Sequence, residues 1–243
     1  MDPHIYQQMR SLEERHWWFA GRRKIVGEIL TSLDLPEHAR ILDAGCGTGG
    51  NLQFLSQFGD TTGVELDDGA AALARERGTW PVLKGSLPDG MPFAEQQFDL
   101  IVLLDVLEHI DDDGASLRAL AALLAPRGYL VLTVPAFPFL WSPHDEEHHH
   151  KRRYRAAGLR EVIENTGLRL SYLSHFNTWL FPLVAAIRLV RKVFPANEVG
   201  RDVEMPGSAA NSMLYAVFGS ERYWIGKLAM PFGVSLLAVA RKA

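Results

Sequence analysis

Arg40-Ile41-Leu42-Asp43-Ala44-Gly45-Cys46-Gly47-Thr48-Gly49-Gly50 is the stretch that decides how this chain folds. Arg40 to Asp43 reads as a short buried strand. The glycines follow at once, and Asn51 to Gln57 begins a helix. A strand that runs through Gly45-x-Gly47-x-Gly49 into a helix builds a ligand corner at the carboxyl edge of a parallel sheet. Glycine lets the backbone take positive φ and approach a ligand closely. The helix start adds unpaired N–H groups and a field that favours a carboxylate or phosphate.

On either side of this corner, helix and strand alternate. From Gly21 to Leu33, the residues Ile25, Val26, Ile29, Leu30 and Leu33 recur at helical spacing, and Pro36 stops that helix. Thr62–Leu66, Trp80–Leu83, Phe98–Leu104, Tyr129–Val134, Arg169–His175 and Val234–Ala240 read as strands. Phe98–Leu104 is the clearest, because an unbroken apolar run is expected where both faces are buried. Asp68–Gly78, Gly114–Leu124 and Ala156–Asn165 read as helices. Pro126-Arg127-Gly128 reads as a turn, and residues 135–154, rich in proline, histidine and charge, as a long loop. Residues 178–230 look helical, broken by Pro182, Pro195 and Pro206.

This alternation predicts an α/β fold, Rossmann-like and doubly wound, with a mostly parallel seven-stranded sheet and a helical insertion before the last strand. One domain is expected over residues 1–243. It divides into an N-terminal polar and aromatic arm and helix (1–35), a cofactor-binding core (38–175), a helical insert or cap (177–231) and a closing strand (232–243).

A net charge of −4 with 22% charged residues gives no reason to expect a nucleic-acid binder. Cys46 is the single cysteine, so neither an internal disulfide nor a multi-cysteine zinc site can form, and a reducing, cytoplasmic setting fits. The N-terminus lacks the basic and apolar regions of a signal peptide. The run closest to a membrane span, Phe176 to Phe194, is interrupted by Arg188, Arg191 and Lys192.

Two cofactors compete for the glycine corner. Gly45, Gly47 and Gly50 also satisfy the loose dinucleotide pattern, and Glu65, near the end of the second strand, would hold ribose hydroxyls in either case. Asp43 separates them. A carboxylate at the rim would repel a pyrophosphate and favour a ligand that carries an ammonium and a sulfonium.

Ile41-Leu42-Asp43-Ala44-Gly45-Cys46-Gly47-Thr48-Gly49 resembles motif I of the class I S-adenosylmethionine-dependent methyltransferases. Gly63-Val64-Glu65-Leu66-Asp67 resembles their ribose-binding segment. Gly85-Ser86-Leu87-Pro88 with Phe98-Asp99-Leu100-Ile101 resembles the adenine-side loop and fourth strand. Val106-Leu107-Glu108-His109-Ile110 and Leu124-Ala125-Pro126-Arg127-Gly128-Tyr129 resemble the segments that follow. The resemblance spans roughly residues 38–175 and the last strand. It implies S-adenosyl-L-methionine as cofactor and S-adenosyl-L-homocysteine as product. The cofactor contacts it implies are Asp43, Gly45, Cys46, Gly47, Glu65, Leu66, Gly85, Ser86, Leu87 and Leu104. Many relatives carry an aspartate where Ser86 stands; serine can still accept a hydrogen bond, or the backbone at Ser86 and Leu87 can serve instead. Cys46 is expected as a small residue of the turn, not a nucleophile, since methyl transfer needs no thiol.

His16-Trp17-Trp18-Phe19-Ala20-Gly21-Arg22-Arg23 resembles the N-terminal stretch of a subset of bacterial methyltransferases. As a lid it would bring Arg22 or Arg23 to the methionine carboxylate and Trp18 to the sulfonium; otherwise it is an aromatic helix start packed on the core. The loop His144-Asp145-Glu146-Glu147-His148-His149-His150-Lys151-Arg152-Arg153 follows the fifth strand and faces the ligand crevice. His144 with Asp145 nearby, or His149, is the candidate general base, and His109 a residue on the substrate side. Histidine and carboxylate also suit zinc, but the run has no defined ligand geometry and no metal is assigned.

The predicted chemistry is an in-line displacement at the sulfonium methyl, with O-methylation of a small molecule, sugar or lipid-linked acceptor. The apolar insert would cover such an acceptor or rest on a membrane surface; ordinary core or a dimer face is the alternative, so the chain is expected as monomer or homodimer. The rival functions are an NAD-linked oxidoreductase and a non-catalytic binding module.

Overall fold

The computed structural model describes residues 3–193 and 205–242. Its elements in chain order are α1 (Pro3–Leu12), α2 (Trp17–Thr31), β1 (Arg40–Ala44), α3 (Leu52–Leu55), β2 (Asp60–Glu65), α4 (Asp68–Arg75), β3 (Val82–Lys84) and β4 (Phe98–Leu104). These are followed by α5 (Asp113–Leu123), β5 (Leu124–Pro135), α6 (Pro143–Glu147), α7 (Ala156–Glu164), β6 (Arg169–Phe176), α8 (Phe181–Val193), α9 (Ser208–Gly219) and β7 (Ser235–Arg241). Short 3₁₀ turns lie at Leu107–His109, Pro138–Leu140 and Ser220–Tyr223. Pro195 and Phe194, expected within the helical stretch, fall outside the described residues.

The seven strands form one sheet in the order β3-β2-β1-β4-β5-β7-β6. The pairs β3-β2, β2-β1, β1-β4 and β4-β5 are parallel, whereas β7 runs antiparallel to both β5 and β6. The chain winds outward from β1 through β2 to β3, then returns to β4 on the other side. The carboxyl ends of β1 and β4 therefore flank the point where the winding reverses, which is where open α/β sheets bind ligands.

Strand periodicity of two divides the sheet into two cores. Ile41, Leu100, Val102 and Val131 face one side, where they pack with Ile25, Val26 and Ile29 of α2 and Phe218 of α9. Leu42, Ile101, Leu103, Leu130 and Leu132 face the other, where they pack with Leu117 and Leu120 of α5 and Leu159 and Ile163 of α7. Each of these side chains is fully or almost fully removed from water, at about 25 cal/mol per Å² of apolar surface.

Three local expectations are corrected. The N-terminal arm is helical: α1 covers residues 3–12, and α2 begins at Trp17, four residues before Gly21. The His16 side chain caps α2 by accepting from Trp18 N. Pro126-Arg127-Gly128 lies within β5, where Phe98 pairs with Leu124 and Leu100 with Tyr129, so the ladder takes up the extra residues as an irregularity. Arg127 has φ +65° there. The expected loop 135–154 contains α6 and is tied back by a parallel bridge between Ala136 and Tyr154.

Candidate active site

The turn after β1 is held by β2: Gly45 N and Cys46 N both donate to Val64 O, at 2.8 and 3.0 Å. Gly45, Gly47 and Gly49 all have positive φ, of 76°, 55° and 81°. A β carbon on Gly45 would strike Val106, while one on Gly47 would meet nothing within 4 Å. The turn is therefore tight against β4's exit and open at Gly47. Glu65, at the end of β2, accepts from Gly47 N at 2.8 Å and from Leu66 N and Asp67 N at 2.9 and 3.0 Å. Its carboxylate gathers backbone donors at the lip of the turn.

A cleft of about 940 Å³ opens over this edge of the sheet. It is lined by Gly45, Cys46, Gly47, Glu65 and Leu66 from the β1 and β2 exits, and by Gly85, Ser86, Leu87 and Leu104 from the β3 and β4 exits. Trp18 and Arg22 of α2 line it as well, as do His109, His144 and His149. Thus the sequence-predicted site residues meet in one cleft, apart from Asp43 and Asp145.

Asp43 lies beneath the turn, 1% exposed, and not on the rim where the sequence suggested it. Burial raises its carboxyl to about 7, against the lowering effect of the Arg22 charge and with Glu13 and Glu65 adding to the rise. Oδ2 has no hydrogen-bond partner among the described residues. Buried there, with its carboxyl raised toward neutrality, Asp43 is not a charge on the rim that would repel a pyrophosphate. What remains is an orphaned buried acceptor under a turn whose Gly47 corner is open, a fit for a ligand bearing an ammonium group.

Arg22 is buried and forms an ion pair with Asp105. Asp105 Oδ1 in turn accepts from Thr133 Oγ1 at 2.9 Å. Arg22 Nε has no partner among the described residues. Arg23 points elsewhere: its guanidinium donates to Glu13 O at 2.6 Å. Trp18 has one ring face against Phe218 at 5.1 Å with planes 2° apart, and is joined to the core through Phe176 at 6.0 Å. The stretch is a packed helix start that borders the cleft. Glu13, just beyond α1, accepts from Thr48 Oγ1 at 2.6 Å and Arg77 Nη2 at 2.7 Å, docking the N-terminal helix against the glycine turn.

Ser86 Oγ donates to the Asp89 carbonyl at 2.8 Å, so the side chain is engaged within its own loop. Cys46 is buried, and burial followed by the Asp43 and Glu65 charges pushes its thiol far above the ordinary range. It remains a neutral small residue, as the turn requires.

The histidines occupy the opposite wall. Asp145, beside His144 in sequence, holds other partners: Asp145 Oδ1 accepts from Arg153 Nε at 2.7 Å and lies 2.9 Å from His150 Nδ1. Burial pushes the Asp145 carboxyl upward, but the hydrogen bonds from His150 and Arg153 and the Arg153 charge hold it well below the carboxylate range. Ser142 and Asp145 form a capping box at the start of α6, which fixes the carboxylate further. His144 Nδ1 is buried with no partner among the described residues. Burial, then neighbouring His148 and His150, lowers His144 to about 3, and burial lowers His109 and His148 to about 4. These rings are neutral at physiological pH. His149 sits at the cleft with φ +54°.

Asp105, Glu108 and His150 were missed from the sequence. Asp105 directly follows the last apolar residue of β4, a strand-end position that faces the crevice, and this was its one available signal. Glu108 is 1% exposed with Oε2 unpartnered among the described residues, and burial together with the Asp105 charge raises its carboxyl.

A winding reversal topped by a glycine turn and an acidic strand end defines a Rossmann-like cofactor enzyme. Residues 16–180 match the family described as methyltransferase domain. The chain belongs to this methyltransferase family, and S-adenosylmethionine is the cofactor that goes with it. Among curated relatives, trans-aconitate 2-methyltransferase of Variovorax paradoxus is 33% identical over 117 residues, which cover 47% of this chain and 45% of that protein. Ubiquinone biosynthesis O-methyltransferase of Vibrio vulnificus is 25% identical over 222 residues, covering 79% and 93%. The chain spans less than half the length of the first of these relatives. Phosphoethanolamine N-methyltransferase 2 of Haemonchus contortus, solved with S-adenosyl-L-methionine, has a TM-score of 0.58 at 17% identity, covering 89% of this chain and 51% of that one, a likeness of fold. Nothing here favours the NAD-linked or the non-catalytic alternative.

Proposed function

We propose that the chain transfers a methyl group to an oxygen of a small or lipid-linked acceptor. One observation carries this reading: the glycine turn, the Glu65 lip and a wall of histidines line a single cleft. S-adenosylmethionine, when bound, supplies an already activated methyl group. The chain's share is alignment and the exclusion of water.

In this reading Glu65 exchanges its backbone donors for ribose hydroxyls. Gly45 and Gly47 let the backbone approach, and Asp43 and Arg22 serve the ammonium and carboxylate ends of the methionine moiety. Leu66, Leu87 and Leu104 give apolar contact, and the backbone at Gly85 and Ser86 borders the adenine side. A hydroxyl acceptor loses its proton as it attacks. His144, with a buried unpartnered nitrogen, and His149, at the cleft, are the candidate acceptors of that proton. The low basicity of His144 favours an acceptor hydroxyl that is itself acidic.

A lipid-linked acceptor is favoured by α8. Leu183, Leu189 and Val190 are exposed there, with basic residues Arg191 and Lys192 in the last turn. No helix among the described residues is long and apolar enough to cross a membrane, so contact would be at the surface. The helices between β6 and β7 form the cap of this reading.

Calorimetry and turnover of His144→Gln and His149→Gln test the assignment. A fall in turnover of about 10²-fold with unchanged affinity for S-adenosylhomocysteine is expected in at least one variant. Unchanged turnover in both removes the proton-acceptor role.

A further inference from the structure

We propose that Glu108, His109 and His150 form a binding site for a divalent transition-metal ion at the acceptor end of the cleft. Their ligand atoms lie within 4.8 Å of one another, and all three residues line the cleft. Metal–ligand bonds of about 2.0–2.2 Å would bring donor atoms roughly 3.3 Å apart, so small side-chain rotations close the site.

Four features set this cluster apart from a chance grouping. Glu108 Oε2 is buried and lacks a partner among the described residues, an expense that a cation would remove. His150 Nδ1 is held by Asp145 Oδ1 at 2.9 Å, which leaves Nε2 as the nitrogen with a lone pair. The His109 ring meets the His150 ring edge to face at 4.7 Å, so the two imidazoles are neighbours beside the Asp145–His150 contact. Carboxylate or carbonyl contacts of this kind are what orient metal-ligating histidines. The two contributing segments are also joined directly, since Lys151 N donates to Glu108 O at 2.7 Å, while His150 N donates to Asp145 O at 2.8 Å within its own turn.

Asp145 is thus a positioning residue. It is fully buried, ion-paired to Arg153, and acts through His150. Two imidazoles and one carboxylate suit zinc, iron(II), cobalt or nickel over magnesium or calcium, and leave open positions. An acceptor oxygen in an open position would be polarised and lose its proton more readily. That last role rests on the methyl-transfer reading; the metal site does not.

The test uses the full chain, stripped with a chelator and then titrated with zinc chloride, with bound metal counted by mass spectrometry. Cobalt(II) absorption reports coordination. The wild type should take up one equivalent. Glu108→Gln and His150→Gln should lose it, His149→Ala should keep it, and Asp145→Asn should weaken it about 10–100-fold. Retained affinity for S-adenosylhomocysteine shows that each variant is folded. The proposal is overturned if the folded wild type binds no zinc, or if Glu108→Gln and His150→Gln both hold the equivalent unchanged. Failure of the wild type to bind S-adenosylhomocysteine would instead overturn the methyl-transfer reading, with the zinc count still deciding the metal site.

Discussion

A β carbon on Gly45 would lie 2.7 Å from Cγ2 of Val106, so the exit of β1 and the exit of β4 are in contact at the base of the cleft. The winding of the sheet reverses between these two strands. The glycine serves two demands at once, a φ of +76° and the room that Val106 occupies.

Gly45→Ala should therefore destabilise the fold. The left-handed backbone costs about 1–2 kcal/mol for a residue with a β carbon, and overpacking against Val106 adds about 1–3 kcal/mol. Denaturant unfolding measures this, and a Gly47→Ala control, with open space at its β carbon, should lose only the backbone part.

Glu65→Ala should cost cofactor affinity. The carboxylate gathers three backbone N–H donors at the lip of the turn. A hydrogen bond to a charged group is worth about 1.5–3 kcal/mol, or roughly a tenfold to hundredfold weaker Kd for S-adenosylhomocysteine by calorimetry. An unchanged Kd would remove Glu65 from the site.

Asp43 makes stability depend on pH. Its folded carboxyl titrates near 7, above its ordinary value of 3.8, because burial outweighs the Arg22 charge. Between those values the folded chain holds the extra proton. The sign follows: in the absence of cofactor, stability is fully present below about pH 4 for this group and declines as pH rises toward 7. Asp43→Asn should flatten that decline and be the more stable protein at pH 8. Paired denaturation curves at pH 5 to 8 isolate the group, since Glu13 and Glu65 remain in both proteins.

Leu189→Glu and Val190→Glu should leave the melting temperature nearly unchanged, because both side chains are exposed. The same changes should abolish co-sedimentation with anionic phospholipid vesicles if α8 rests on a membrane. Equal sedimentation of variant and wild type would remove this face of α8 as a membrane contact.

Local patterns were readable where one segment carried the whole signal. β4 has the bounds that its apolar run predicted, Phe98–Leu104. The glycine turn and Glu65 were readable because the corner is built from residues adjacent in sequence or one strand away. The His16 cap was not, since a histidine is an unusual N-cap and the aromatic run that follows hides the helix start. Nor was the partner of Asp145. Consecutive residues on a helix point in different directions, so His144, the sequence neighbour, does not reveal which groups meet the carboxylate. His150 and Arg153 reach the carboxylate only through the turn after α6. Burial also reversed the expected electrostatics of Asp43, a property that one strand's sequence does not display.

The placement of β7 has a consequence for synthesis. It lies between β5 and β6 yet follows both of them in the chain. While residues 235–241 are still inside the ribosome, β5 and β6 each present a bare edge, the kind of surface on which nascent chains pair wrongly. Residues 235–241 are thus the clasp of the sheet, and their loss would open a gap in its interior and not merely trim its margin.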